Sequence, residues 1–160
     1  FKDQKKLCFS TLGCPTWDWQ KIIEKAAENG YGGIEIRGLM DEIDILKSPV
    51  FSKHQLKESK RLAQNHGIKI VNLNSSANLN QTDALKRKNN IDEVKKYIDL
   101  AVELDCPFVR VFPDKFANED DKEKSLQLIK EGLLELGEYG KKWRENTIGR
   151  SWGLGLFQRH

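Results

Sequence analysis

Two hydrophobic periods alternate along this chain. Short, largely apolar runs at 7–12, 33–37, 68–73 and 106–112 predict strands. Between and after them, apolar residues recur three and four positions apart, the spacing of one helix face. The first such stretch holds Trp19, Ile22, Ile23, Ala26 and Ala27. Thr16 or Asp18 can cap it, and Asn29-Gly30 can end it. The second presents Leu56, Ser59, Leu62 and Ala63, with Ser52 and Gln55 at capping-box spacing, and closes at His66-Gly67. A polar loop is predicted over 74–82. The third helix spans 84–104 with Ile91, Val94, Ile98, Ala101 and Val102 inward. The fourth turns Leu126, Ile129, Leu133, Leu134 and Leu136 to one side.

Four strands, each followed by a helix, are consecutive βαβ units, which wind right-handed into a parallel sheet. An open doubly wound sheet and a (β/α)8 barrel both fit the order. No Gly-x-Gly-x-x-Gly turn follows the first strand, which weakens a dinucleotide-binding reading. The rhythm breaks at Trp143. A fifth strand is due there, and the chain instead continues through a Gly-rich, unpatterned segment, 143–160.

Composition narrows the classes. The 160 residues suffice for one domain with a sizeable core. The net charge of +3 comes from 27 basic and 24 acidic residues, with lysines scattered over helix faces, so nucleic acid is not an expected partner. Three cysteines, Cys8, Cys14 and Cys106, have no disulfide-framework spacing; Cys8 and Cys106 are expected as small buried hydrophobes. No apolar run approaches the ~18 residues of a membrane span, so no membrane partner is expected either. A cytoplasmic location is the expectation, although a start at Phe1 also fits a removed signal peptide.

Side chains alternate along a strand, so Glu35 and Arg37 share one face against Ile34 and Ile36. Arg110 and Phe112 likewise oppose Val109 and Val111, and Asn72 and Asn74 oppose Val71 and Leu73. In a barrel the helix-facing side is the more uniformly apolar. Ser10, Glu35, Arg37, Asn72, Asn74 and Arg110 then point inward near the strands' C-terminal ends, where barrel enzymes keep their sites. Two readings stand side by side. One is a structural ion pair that plugs the barrel, since a buried Glu35 needs Arg37 or Arg110 beside it. The other is a polar cup for a hydroxylated ligand, with Glu35 and Asn74 meeting hydroxyls, Arg110 an oxyanion, and Trp17 flooring a sugar. His54 and His66 read as surface residues. Asp114, Glu119, Asp120 and Asp121 read as a helix-capping acidic loop.

Several ordered pieces carry a family likeness. They are Phe9-Ser-Thr-Leu-Gly-Cys-Pro15, Ala26-Ala-Glu-Asn-Gly-Tyr-Gly-Gly-Ile-Glu-Ile-Arg37, His66-Gly-Ile-Lys-Ile, Asn74-Ser-Ser76, Ala101-Val-Glu-Leu-Asp-Cys-Pro and Val109-Arg-Val-Phe112. Together they resemble the sugar phosphate isomerase/epimerase family with the xylose isomerase-like barrel, over residues 6–142. The resemblance implies the N-terminal half of a (β/α)8 TIM barrel, four βα units with parallel strands. It also implies isomerisation or epimerisation of a sugar or sugar phosphate by proton transfer next to a carbonyl. A divalent metal (Mn, Mg, Co or Zn) serves that family, held by Glu, Asp, His and Glu from strands five to eight. None of those ligands can be assigned here, so this chain is expected to bind no metal and to be inactive by itself. Two other classes stay open: a non-catalytic sugar-binding module, and a fragment of a related metal-dependent DNA-repair endonuclease. Unpaired strand edges on a half barrel predict self-association.

In that family the fifth strand begins Asn-Gly-Val and runs to Glu-(Thr/Ser)-His-Gly-Asp. A frame one base earlier would join the last two bases of Lys142 to the first of Trp143 and spell Asn. The remaining bases of Trp143 force Gly, and those of Trp152 force another Gly nine codons on, the interval between the family's two glycines. We therefore expect 143–160 to be an out-of-frame tail, against the alternative of a divergent or designed ending. DNA sequencing through codon 142 should show the one-base slip; several independent reads with one continuous frame would rule it out.

Overall fold

The computed structural model describes residues 7–113 and 122–145. The acidic loop and the end of the tail, 146–160, lie outside the described residues. Four parallel strands form one sheet in the order β1-β2-β3-β4: β1 (Cys8–Ser10), β2 (Gly33–Ile36), β3 (Lys69–Asn78) and β4 (Val109–Phe112). Four helices follow them: α1 (Trp19–Glu28), α2 (Leu56–Asn65), α3 (Ala84–Glu103) and α4 (Lys122–Glu145). Strand order equal to chain order, with a helix after each strand, is half of a (β/α)8 barrel. No described helix is long and apolar enough to cross a membrane.

Local chemistry explains most element ends. Asp18 caps α1 by accepting from the Lys21 amide at 2.8 Å, and Asp83 caps α3 by accepting from the Lys86 amide at 2.8 Å. The expected capping box at Ser52 does not form. The chain makes short 3₁₀ turns there, and α2 begins only after Gln55, whose side chain makes no cap. The expected loop over 74–82 is instead largely strand, because β3 continues through Asn78. Its polar side chains find partners in the sheet: Ser75 Oγ donates to the Arg110 carbonyl at 2.8 Å, while Ala77 is buried.

Two apolar clusters hold the layers together. The larger joins Ile34, Ile36, Ile70 and Leu73 of the sheet to Trp19, Ile22, Ile23 and Ala26 of α1, Ala63 of α2, and Tyr97 and Leu100 of α3. Trp19 adds a polar tie, its indole donating to the Ser59 carbonyl at 3.0 Å while Ser59 Oγ donates to the Val50 carbonyl at 2.7 Å. The smaller cluster gathers Ala77, Leu79, Ile91, Val94 and Leu136 beneath α4. Ile91, Val94 and Ala101 face inward as expected; Tyr97 and Leu100 join them, while Ile98 is only partly buried.

Two expectations fail where the sheet ends. Cys106 is buried, but Cys8 is exposed, because β1 is an edge strand with a partner on one side only. Of the five apolar residues expected inward on α4, only Leu136 is buried and Ile129 partly so; Leu126, Leu133 and Leu134 are 51, 51 and 60% exposed. Their faces point away from α3 and from the sheet. Among the described residues, β1 and β4 are both open parallel edges.

Thr11 locks β1 to β2 just beyond the paired residues. Its buried hydroxyl donates to the Gly38 carbonyl at 2.8 Å and accepts from the Arg37 amide at 2.9 Å. Thr11→Val keeps the shape but orphans both groups, which should cost about 2 kcal/mol or more. Urea unfolding checks this; a variant within about 0.5 kcal/mol of the parent would show that the clip is dispensable.

Candidate active-site cup

The inward side of the sheet takes its polar residues from plain alternation in β2 and from two irregularities in β3. Gly33 pairs with Lys69 and Ile34 with Ile70, but Glu35 pairs with Asn72 and Ile36 with Leu73. Val71 is the extra residue of a β-bulge. It does not oppose Asn72 as simple alternation predicts. Both lie on the inward side: a Cβ built on Gly33 would come within 2.8 Å of Val71 Cγ1, while Asn72 reaches Glu35. Ile70 and Leu73, three residues apart, both remain in the core beneath the helices. A second shift follows, with Asn74 opposite Arg110 and Asn78 opposite Phe112, and it brings out Ser76.

These registers assemble a cup. Asn72 Nδ2 donates to Glu35 Oε2 at 3.2 Å and to Asn74 Oδ1 at 2.8 Å. Burial alone would push the Glu35 carboxyl up. Hydrogen bonds from Asn72 and Ser10, the nearby Asn74 amide and the positive charge of Arg110 outweigh it and hold the group below its ordinary value. Asn74 is fully buried, and its Nδ2 finds no partner in good hydrogen-bond geometry, although its dipole helps keep Glu35 charged. Arg37 Nη1 donates to Ser76 Oγ at 2.9 Å and to the Asn74 carbonyl at 3.3 Å. Both guanidiniums approach one aromatic ring, Arg110 at 4.7 Å and Arg37 at 5.8 Å from the Phe112 centroid.

Glu35, Arg37, Asn74 and Arg110 are thus brought together, with Ser10 and Asn72. Trp17 is not. It is half-buried against the main core, with Lys21 Nζ 4.8 Å over its ring, and no hydrogen bond or ring contact ties it to the cup. It stands on the rim, in the loop after β1. That loop is fastened to the next by the Asp41 amide, which donates to the Pro15 carbonyl at 2.9 Å. The second loop turns tightly at Met40 and Asp41, both left-handed, with φ of 51° and 63°. Backbone held in this region at the mouth of a site fits a binding rim. Ser76 and Thr11 escaped sequence reasoning. Ser76 lay in the expected loop, and Thr11 sat within an apolar run.

The described residues do not fit a metal centre. No group of three or more His, Cys, Asp or Glu side chains among them converges, and Glu35 is surrounded by amides and a guanidinium. The arrangement sets one charged carboxylate and two guanidiniums beside amide and hydroxyl groups.

The pattern for the xylose isomerase-like TIM barrel matches residues 23–143. The chain belongs to this family. Among solved structures it is similar to a D-psicose 3-epimerase with D-tagatose from Clostridium cellulolyticum H10, at 22% identity and a TM-score of 0.64, covering 88% of this chain and 47% of that one. A zinc-bound structure of the IOLI protein is 25% identical with a TM-score of 0.64, covering 86% and 48%. A probable 3-DHS dehydratase from Bacillus anthracis shares the fold at 14% identity and a TM-score of 0.66, covering 84% and 49%. The chain spans about half the length of these structures. No curated protein matches it significantly in sequence.

The lowered Glu35 carboxyl has a consequence for stability. A depressed folded value stabilises the fold above the ordinary value of 4.5, and this contribution is lost as the pH falls through the folded value. Urea unfolding from about pH 6 to about pH 3 should show an acid limb that Glu35→Gln flattens. An unchanged limb in the variant would remove Glu35 as its source.

Proposed function

We propose that this chain is the sugar-binding half of a metal-dependent isomerase or epimerase that acts by proton transfer next to a carbonyl. The observation that carries the reading is the Glu35–Asn72–Asn74 network beside Arg110 at the C-terminal end of the strands. A carboxylate kept charged accepts from ligand hydroxyls. Trp17 is proposed as an apolar wall at the rim. The zinc in the IOLI structure and the D-tagatose in the epimerase structure support metal and sugar as the family's ligands. In the implied ligand set the metal is held from strands five to eight. The part that falls to these residues is to bind and orient the sugar, and the chain alone is proposed to be inactive.

Surface charge supports a small-molecule ligand over nucleic acid. Many cations are neutralised in place, as in Lys25–Glu28, Arg61–Glu58, Lys88–Asp92 and Lys95–Glu135. The open edges of β1 and β4 and the exposed leucines of α4 support self-association.

Calorimetric titration and sedimentation of the purified chain test this together. A polyol such as D-tagatose should bind measurably with or without Mn²⁺, and weaken about tenfold in Glu35→Ala. The chain should sediment above monomer mass. Stoichiometric Mn²⁺ binding, isomerase turnover, or salt-dependent DNA binding in place of sugar binding would overturn the reading. A monodisperse monomer would show that the edges are covered.

A further inference from the structure

We propose that two copies of this chain close one eight-stranded barrel around a two-fold axis, with β4 of each copy pairing in parallel with β1 of the other. The inference rests on the proposed self-association and adds its geometry: one partner, two identical seams, and a cup enclosed by both copies.

The edges fit this arrangement. Among the described residues β1 is open on one side of the sheet and β4 on the other, and all four strands are parallel. A two-fold axis along the strands keeps all eight parallel, so both seams form at once and no edge is left. Pairing like edges, β1 with β1 or β4 with β4, would leave the remaining edges bare. The helices pack on one face of the sheet. Cys8, Glu35, Asn72 and Arg110 lie on the other, so the second copy would set the same residues opposite them and enclose the ligand.

Each seam also has an apolar wall on either side. One flank of α4 is identified by its contacts with α3: Lys95 meets Glu135, Asp99 accepts from Tyr139, and Arg87 donates to the Leu128 carbonyl. Leu133 stands two residues from Glu135, about 200° around the helix, and Leu126 lies two turns before it on the same stripe. These exposed leucines therefore line the flank away from α3, beside the open edge of β4. Gly137 and Gly140 continue the flank, with open space where a Cβ would stand. The opposite wall belongs to β1. Leu7 is 69% exposed, and Phe9 stacks on Tyr31 at 5.0 Å with both rings only partly buried. Leu7 and Phe9 share the helix-facing side of the strand, against Cys8 and Ser10. A helix beside the β4 edge of one copy would cover this patch on the other, and both copies lose their bare leucines together.

Sedimentation and thiol labelling of the intact chain test the proposal. A single species of twice the chain mass should appear. Leu133→Glu and Leu7→Lys should each shift it to monomer with the far-UV helix signal retained, since both side chains are already exposed within one copy. Leu85→Glu, on α3 and equally exposed, should keep the dimer. Cys8 should react with a thiol reagent at least about tenfold more slowly in the dimer than in the monomeric variants. Oxidation should not join the dimer through Cys8. Facing strands of an eight-stranded barrel stand about 15 Å apart, and a disulfide needs Cα atoms within about 7 Å. A Cys8-linked dimer would show like-edge pairing and overturn closure. An open series of larger species would overturn closure while leaving self-association intact. A dimer that survives either seam variant would overturn the seam. A monomer with slow Cys8 labelling would assign the covering to residues 1–6 or 146–160 of the same chain and overturn the second copy. A monomer with fast labelling would overturn both closure and self-association. The sugar-binding reading fails separately, in the D-tagatose titration.

Discussion

The extra residue at Val71 governs the inward face of this half barrel. A strand with strict alternation cannot put Ile70 and Leu73 on the same side. The bulge does so, and the apolar face of β3 stays continuous with Ile34 and Ile36. The same slip sets Asn72 opposite Glu35 and Asn74 opposite Arg110. Without it, either an asparagine would enter the core beneath α1, or the core would lose a large apolar side chain. Both cost several kcal/mol. Core packing and the polar cup are therefore two outcomes of one register.

Beyond the bulge, the cup is built from groups that hold each other at fixed positions with capacity to spare. Asn72 links Glu35 to Asn74, Ser76 and the Asn74 carbonyl hold Arg37, and Phe112 supports both arginines. A purely structural plug would be expected to close its own hydrogen bonds. Here Asn74 Nδ2 is buried without a partner in good geometry, and the exposed Arg110 guanidinium makes no hydrogen bond or ion pair among the described residues. The fastened loops at the rim, joined between Pro15 and Asp41, place their least relaxed backbone at the same mouth.

Legibility in the sequence followed regularity. β2 alternates without interruption, and Glu35 and Arg37 were assigned to the correct face from spacing alone. β3 contains two shifts that period-two reasoning cannot detect, so Val71 was placed on the wrong side and 74–78 passed for a loop. Polar residues in that stretch looked solvated because their partners, Arg37 and the Arg110 carbonyl, lie at sequence separations of 39 and 35 residues. Helix positions were legible where a neighbour covers them, as at Ile22, Ile91 and Val94, and misleading on α4, where apolar spacing continues on a face the described residues leave bare. Thr11 was hidden by its surroundings, since a hydroxyl within an apolar run carries no pattern of its own.

The contrast among the three thiols makes one of them a built-in chemical address. Burial pushes Cys14 up and Cys106 up to about 12, so neither offers much thiolate at neutral pH. Cys8 is exposed on the outer strand of the sheet. A thiol reagent will therefore modify the protein first on this edge strand, the border at which a closed barrel would pair. Its accessibility becomes a gauge of barrel closure, readable on the unaltered chain without any engineered probe.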